Sequence, residues 1–254
     1  MPRVDNHSHI ILADIRDMVA AARANGIDRY SITEHVSQFR EMRGSIAFGS
    51  VHSSGRLFED LGEYRAEFSK LDEPALQGMK VRMGLEVDFS PRFETRVGEF
   101  VNREKWDVLL CSVHEMADGA EVESRGAKVT GRAEAERLWH EYFDLQQKAL
   151  ESDFVPFGVL THPTRMAKGM SRLPHDLDDL LLDLATTARR RDRALELNGN
   201  DLGYQPKIVQ RIAWACSRAG CRVSLGSDSH LPQEVFRKMK EAIAMTGEFG
   251  LQVA

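Results

Sequence analysis

The sequence contains little cysteine, few aromatic residues and no long apolar run. Its 254 residues include three cysteines and 7% aromatic residues. No stretch approaches the roughly 18 consecutive apolar residues that a membrane-spanning helix needs. An odd number of scattered cysteines is typical of a reducing compartment, where thiols pack as small apolar groups. We therefore expect a cytoplasmic protein without disulfide bonds and without a membrane anchor.

The sequence also lacks an excess of charge of one sign. Its 34 Lys and Arg residues oppose 39 Asp and Glu residues, which gives a formal net charge of −5. Neither a basic groove nor an aromatic stacking surface is indicated, which argues against nucleic-acid binding. With 42% hydrophobic and 29% charged residues, the composition is that of a globular domain that buries a core.

Short apolar runs alternate seven times with longer amphipathic segments. The predicted strands are residues 4–6, 30–33, 81–85, 108–113, 157–160, 194–197 and 222–225. The predicted helices are residues 15–25, 60–71, 93–103, 132–151, 177–191, 206–219 and 233–245. Repeated βα units predict a parallel sheet, either open or closed into a barrel, and the length suits one domain over residues 1–254. Residues 37–55 and 115–131 are expected to form long loops.

Six of the nine histidines lie at the carboxyl ends of predicted strands, where α/β barrels place their functional groups. The polar residues at these ends are His7, His9, Glu34, His35, Glu86, Asp88, His114, His162, Asp228 and His230. Such a cluster would be costly without cations. Nitrogen and carboxylate ligands without cysteine favour Zn²⁺, Mn²⁺ or Fe²⁺, and this number of ligands can hold more than one ion. A site of this kind suits hydrolysis of phosphate esters or of amides.

The motifs that contain these residues resemble those of the PHP (polymerase and histidinol phosphatase) superfamily. In chain order they are Asp5-Asn6-His7-Ser8-His9, Thr33-Glu34-His35, Gly84-Leu85-Glu86-Val87-Asp88, Ser112-Val113-His114, Thr161-His162-Pro163 and Gly226-Ser227-Asp228-Ser229-His230. The third and fourth motifs are similar to those of the histidinol-phosphatase branch. The resemblance implies a distorted (β/α)₇ barrel that holds two or three divalent ions.

The resemblance also implies which residues bind each ion. The first ion would be bound by His7, His9, Glu86 and Asp228, and Glu86 would bridge to a second ion bound by His114 and His162. A third ion would be bound by Asp14, His35 and His230. Asp14 has an alternative role as the N-cap of the helix that follows it.

A phosphatase also needs cations that bind the phosphate and groups that transfer protons. The candidate substrate-binding residues are Arg165, Lys168 and Arg172 after the fifth strand, and Arg43 and His52 in the 37–55 loop. The candidate catalytic residues are Glu86 as the bridging ligand and Asp228 or His230 as the group that transfers a proton to the leaving alkoxide.

The leading hypothesis is a metal-dependent phosphomonoesterase, with L-histidinol phosphate as the best single substrate. The alternatives are a nucleotide or oligonucleotide phosphoesterase, a hydrolase of a C–N bond, and a noncatalytic metal-binding domain. The complete set of ligand residues argues against the noncatalytic domain. The sequence leaves the metal, the oligomeric state and the organic part of the substrate open.

Overall fold

A computed structural model describes residues 3–43 and 55–254 and contains a seven-stranded parallel sheet. The strands are β1 (Val4–Asp5), β2 (Arg29–His35), β3 (Lys80–Asp88), β4 (Val108–Ser112), β5 (Val159–Leu160), β6 (Ala194–Asn198) and β7 (Val223–Gly226). They lie in chain order, and each pairs in parallel with the next. All seven overlap the predicted strands.

The first and last strands approach each other and nearly close the sheet. The backbone N–H of Asn6 donates to the carbonyl of Leu225 at 2.8 Å, and Ser8 forms an isolated parallel bridge with Ser229. The predicted (β/α)₇ barrel is thereby confirmed. Because all strands run in the same direction, their carboxyl ends meet at one rim of the barrel.

The helices surround this sheet. They are α1 (Ile15–Ala24), α2 (Leu61–Phe68), α3 (Glu73–Leu76), α4 (Glu94–Val101), α5 (Val122–Ala127), α6 (Arg132–Glu151), α7 (Met166–Gly169), α8 (Leu177–Arg190), α9 (Gly199–Tyr204), α10 (Pro206–Ala219) and α11 (Met239–Glu248). Three short 3₁₀ turns cover Val36–Gln38, Arg40–Met42 and Pro232–Glu234.

Two expectations about the connections were wrong. The segment 115–131 is not a continuous loop, because it contains an isolated antiparallel bridge between Glu115 and Glu121 followed by α5. The last helix begins at Met239 rather than at residue 233. Phe236 and Lys238 have φ angles of 66° and 57°, and these left-handed backbone conformations interrupt an α-helix.

The core lies between the sheet and the helical shell. Helix α10 shows the pattern that builds it, since Ile208, Val209, Ile212 and Cys216 recur at helical spacing and are buried. This helix ends at Gly220, whose φ of 66° suits the left-handed cap position. Towards their carboxyl ends the strands are buried on both faces, as expected for a parallel sheet covered by helices.

The three cysteines are buried and free. In the described ranges, no helix combines the length and the apolar character that crossing a bilayer demands.

Candidate metal centre

The polar residues predicted at the strand ends form one buried cluster at the carboxyl rim of the barrel. His7 and His9 follow β1, His35 ends β2, Glu86 lies in β3, His114 follows β4, His162 follows β5, and Asp228 and His230 follow β7. Their side chains are between 0% and 18% exposed, so the cluster is nearly withdrawn from solvent.

Glu86 lies at the centre of the cluster, and its Oε2 atom faces three histidines. This oxygen lies 2.8 Å from Nδ1 of His35, 3.4 Å from Nε2 of His7 and 3.6 Å from Nε2 of His9. Nε2 of His7 and of His9 each also lies 3.7 Å from Oδ1 of Asp228. Two imidazoles and two carboxylates thus surround one small volume.

The other carboxylate oxygen of Glu86 faces a second pair of histidines. Oε1 lies 2.9 Å from Nε2 of His162 and 3.6 Å from Nε2 of His114. The two oxygens of one side chain therefore serve two separate groups of imidazoles, which is the arrangement expected of a carboxylate that bridges two ions.

The donor atoms fit divalent metal ions. Nε2 of His7 and Nε2 of His9 are buried and lack a hydrogen-bond partner in the described part of the chain. Buried polar atoms without partners are costly, and a bound cation would satisfy them. Three overlapping groups bring one ligand atom from each member within 4.8 Å of one another: His7 with His9 and Glu86, His35 with Glu86 and His114, and His9 with His35 and His230.

The electrostatics of the cluster divide its histidines into two groups. Burial lowers the pKa of His7, His9 and His114, but the neighbouring carboxylates outweigh it and raise these pKa values, that of His9 to about 9, so these rings would release a proton on binding a metal. Burial, and then the nearby His9, lower the pKa of His230 to about 3. Burial and the nearby Arg165 guanidinium hold the pKa of His162 well below its ordinary value. Burial raises the pKa of Glu86, but the surrounding histidines, His35 first, outweigh it and hold that pKa well below its ordinary value. Neutral imidazoles and an ionised carboxylate are the forms that ligate a metal.

Three further carboxylates contact the Nδ1 atoms of three of the histidines and orient their rings. Nδ1 of His7 lies 2.8 Å from Glu196, Nδ1 of His9 lies 3.2 Å from Glu34, and Nδ1 of His114 lies 2.5 Å from Asp88. Partners of this type fix the ring orientation of a metal-ligating histidine. Glu34 and Asp88 lie at the predicted strand ends, but the sequence alone indicated no role for them.

Sequence reasoning missed Glu196 entirely. This glutamate lies inside the apolar run of β6 and is only 1% exposed. A charged residue in a strand buried on both faces is rarely tolerated without a partner, and this was the signal that could have identified it.

The structure gives Asp14 the role that the sequence offered as its alternative. Its side chain accepts a hydrogen bond from the backbone N–H of Arg16 at the N-terminus of α1 and pairs with the Arg16 guanidinium at 3.0 Å. Asp14 belongs to none of the three ligand groups found in residues 3–43 and 55–254. In this structure Asp14 caps a helix, and His9, His35 and His230 form a group without it, so the assignment of Asp14 to a third ion stays a prediction.

A cavity of about 200 Å³ opens onto the cluster. Its lining residues are His35, His114, Glu121, Val122, Glu123, His162, Arg165, Lys168, Asn200, Asp228 and His230. Two of the five candidate substrate-binding residues, Arg165 and Lys168, are therefore at this cavity. Arg172 and Arg43 are exposed and do not line it, and His52 lies outside the described residues.

Arg165 is buried between carboxylates rather than free. Its Nη2 atom donates to Oδ2 of Asp228 at 2.5 Å, and its Nε atom lies 3.2 Å from Oδ1 of Asp201. Asn200 also donates to Oδ2 of Asp228, at 3.3 Å. One oxygen of Asp228 thus faces the histidines, and the other accepts hydrogen bonds from Arg165 and Asn200.

Comparison with known proteins shows which family the chain resembles. The family model of the PHP domain matches residues 6–200. A Deinococcus radiodurans protein named "Probable histidinol-phosphatase" is 27% identical over 198 residues, which cover 76% of this chain and 74% of that protein. A Lactococcus lactis histidinol-phosphatase is 24% identical over 267 residues, with 98% of this chain and 92% of that protein covered.

The fold also matches a solved structure. A crystal structure of histidinol phosphate phosphatase from Lactococcus lactis, complexed with zinc, L-histidinol and phosphate, has a TM-score of 0.79 and 20% identity; the match covers 99% of this chain and 95% of that one. Because the PHP domain model covers most of the chain and the ligand motifs converge in space, this chain belongs to the PHP domain family.

Proposed function

We propose that the protein is a metal-dependent phosphomonoesterase that hydrolyses a small-molecule phosphate ester, with L-histidinol phosphate as the best single substrate. The observation that carries the proposal is the position of Glu86, whose two oxygens face two separate groups of histidines. Relatives named for histidinol phosphatase, and a similar fold that holds zinc, L-histidinol and phosphate, support the same reaction class.

The ligand residues divide between two or three sites. His7, His9, Glu86 and Asp228 would hold the first ion, and Glu86 with His114 and His162 the second. His35 and His230 would hold a third ion together with His9, with which they form a group in the structure. The donor set suits Zn²⁺, Mn²⁺ or Fe²⁺. When bound, such ions lower the pKa of water and neutralise charge that develops on phosphoryl oxygens.

The side chains of the cavity supply binding and proton transfer. Lys168 reaches the cavity with its ammonium group paired to Glu123 at 3.1 Å, so it is positioned to bind a phosphoryl oxygen beside the cluster. Arg165 holds Asp228 and adds positive charge at the cavity wall. Asp228 and His230 line the same wall and are the groups that could protonate a leaving alkoxide.

The charges of the cavity also bear on the organic part of the substrate. Asp228 is paired with Arg165 and Glu123 with Lys168, but Glu121 makes no ion pair with any described residue. A carboxylate without an ion-pair partner at the cavity favours a substrate whose leaving group is positively charged, such as a protonated amino alcohol. A nucleotide adds no such cation.

A comparison of substrates tests the proposed function. The protein loaded with Mn²⁺ or Zn²⁺ is assayed for kcat/KM on L-histidinol phosphate, a generic aryl phosphate, nucleoside monophosphates and a short 5′-phosphorylated oligonucleotide. A preference of about 100-fold, equivalent to about 2.7 kcal/mol, for histidinol phosphate is the expected result. A preference for nucleotides would replace the substrate, and metal binding without turnover of any phosphate ester would favour a noncatalytic domain.

A further inference from the structure

We propose that Glu196 is a positioning residue that orients two candidate ligands of the metal centre, His7 and His162. It does so from β6, a strand to which none of the candidate ligands belongs. This role rests on the metal-dependent function proposed above. Glu196 belongs to none of the three candidate ligand groups in the described ranges, so its part is separate from direct metal binding.

The carboxylate of Glu196 accepts three hydrogen bonds inside the barrel. Nδ1–H of His7 donates to Oε1 at 2.8 Å, and the backbone N–H of His162 donates to Oε2 at 3.0 Å. The side-chain amide of Asn198 donates to the same Oε2 atom at 2.9 Å. Both oxygens are thus committed to neighbours, and the side chain is held in one orientation.

The bond to His7 determines which ring nitrogen faces the metal centre. When Nδ1 carries the proton that it donates to Glu196, the lone pair of Nε2 is free for a cation. Nε2 is the atom that lies 3.4 Å from Oε2 of Glu86 and lacks a hydrogen-bond partner among the residues that the structure describes. Without this acceptor, the other tautomer would place a proton where a ligand lone pair is needed.

The bond to His162 acts on the backbone. His162 has a φ angle of 27°, which is unfavourable for a residue with a β carbon. A hydrogen bond from its N–H to a buried carboxylate stabilises this conformation, in which Nε2 of the ring reaches Oε1 of Glu86 at 2.9 Å. Glu196 therefore couples a ligand after β1 to a ligand after β5, which face different oxygens of Glu86.

A fourth neighbour of Glu196 is a glycine that leaves room for its side chain. A β carbon at Gly226 would lie 2.3 Å from Oε1 of Glu196. Strands β6 and β7 pair Asn198 with Gly226, so the space is created by the adjacent strand.

Glu34 makes the comparable hydrogen bond to His9. Its other side-chain hydrogen bonds are to the backbone N–H groups of Ile10 and of His35, its neighbour in sequence.

The test is the metal affinity of the Glu196→Gln variant. A glutamine keeps one acceptor oxygen but replaces the other with a donor, so it cannot accept from both His7 and His162. We expect Zn²⁺ affinity, measured on the metal-free protein by competition with a chromophoric chelator, to fall about 10- to 100-fold. We also expect kcat to fall more than KM changes, with partial recovery at saturating Zn²⁺.

Two further variants keep the result interpretable. Glu67→Gln is the matched control, because Glu67 is a buried, ion-paired glutamate on α2 outside the cluster, and it should retain wild-type Zn²⁺ affinity. Asn198→Ser removes the amide that donates to Glu196 and keeps a residue suited to cap α9. This variant should weaken Zn²⁺ binding severalfold, and it provides the test if Glu196→Gln does not fold.

The outcomes separate this role from the proposed function. Wild-type Zn²⁺ affinity in both Glu196→Gln and Asn198→Ser would overturn the positioning role and leave the phosphatase untouched. A wild-type protein that binds Zn²⁺ but hydrolyses no phosphate ester would overturn the phosphatase, while the affinity series would still test Glu196.

Discussion

Gly226 packs directly against His7 at the seam where the barrel closes. A β carbon built at Gly226 would lie 2.4 Å from the β carbon of His7, a distance at which one of the two must move. The absence of a side chain at Gly226 in β7 therefore leaves room for His7, a candidate metal ligand that follows β1.

Replacing Gly226 with alanine should displace His7 and Glu196 together. We expect a loss of stability of about 1–3 kcal/mol from overpacking, with weakened metal binding. Urea unfolding of the metal-free protein and chelator competition measure the two effects. Gly247→Ala is the control, because nothing lies within 4 Å of a β carbon there and its helical position tolerates alanine. Equal stability in the two variants would contradict the packing argument.

Replacing Glu86 with glutamine should remove the bridge between the two histidine groups. The amide keeps the shape of the side chain but loses the negative charge shared by both groups. We expect loss of at least one equivalent of metal and a fall in kcat of more than about 100-fold. Elemental analysis and steady-state kinetics check both. Full activity with full metal content would refute the proposed mechanism.

Asp14 should behave as a helix cap rather than as a ligand. Asp14→Ala should cost about 1 kcal/mol of stability at neutral pH, whereas Asp14→Asn, which still caps, should cost less. Both variants should keep the wild-type metal content, measured by elemental analysis. Loss of one equivalent of metal from both would instead restore Asp14 to the ligand set.

The cap also predicts a pH dependence. Hydrogen bonds from the Arg16 side chain and backbone lower the pKa of Asp14 to about 2. Because this pKa lies below its unfolded value of about 3.9, the contribution is present above pH 4 and is lost as the pH falls towards 2. The stability difference between wild type and Asp14→Ala should therefore shrink over this range in urea unfolding of the metal-free protein. A difference that grew on acidification would have the wrong sign.

Arg165 should be needed for stability in the metal-free protein. Arg165→Met would leave Asp228 and Asp201 buried without their counter-cation, which should cost about 3–5 kcal/mol. Adding Asp201→Asn removes one of the two buried carboxylate charges that have lost their partner, and it should recover part of the lost stability. Urea unfolding of the single and double variants measures this coupling. Additive costs would show that Arg165 and Asp201 do not interact.

Glu121 should select for a cationic leaving group. In Glu121→Gln, kcat/KM for L-histidinol phosphate should fall about tenfold, equivalent to about 1.4 kcal/mol, while kcat/KM for an uncharged aryl phosphate should not change. Glu134→Gln, on the exposed surface of α6, is the charge-matched control. An equal fall on both substrates would assign Glu121 to the fold or to the reaction itself rather than to selectivity.

Local patterns predicted most of the fold. Seven apolar runs separated by amphipathic segments predicted a parallel sheet because period and length distinguish strands from helices without any knowledge of contacts. These patterns left an open sheet and a closed barrel equally possible, and only the family resemblance implied the barrel. The errors lie where local patterns carry little information. The bridge between Glu115 and Glu121 joins two polar residues, and the left-handed φ angles at Phe236 and Lys238 occur in residues that do not favour them.

The sequence by itself determined which residues gather at the rim, because parallel strands must present their carboxyl ends together, and residues such as His7, His35 and Glu86 lie at or near these ends. Only the tertiary structure decided how they are used. In the folded protein the two oxygens of Glu86 contact different histidines, and Asp14 accepts a hydrogen bond at the start of the helix that follows it. Glu196 of β6 accepts hydrogen bonds from both His7 and His162. These relationships join residues as many as 189 positions apart, and such hydrogen bonds depend on side-chain directions that exist only once the barrel has closed.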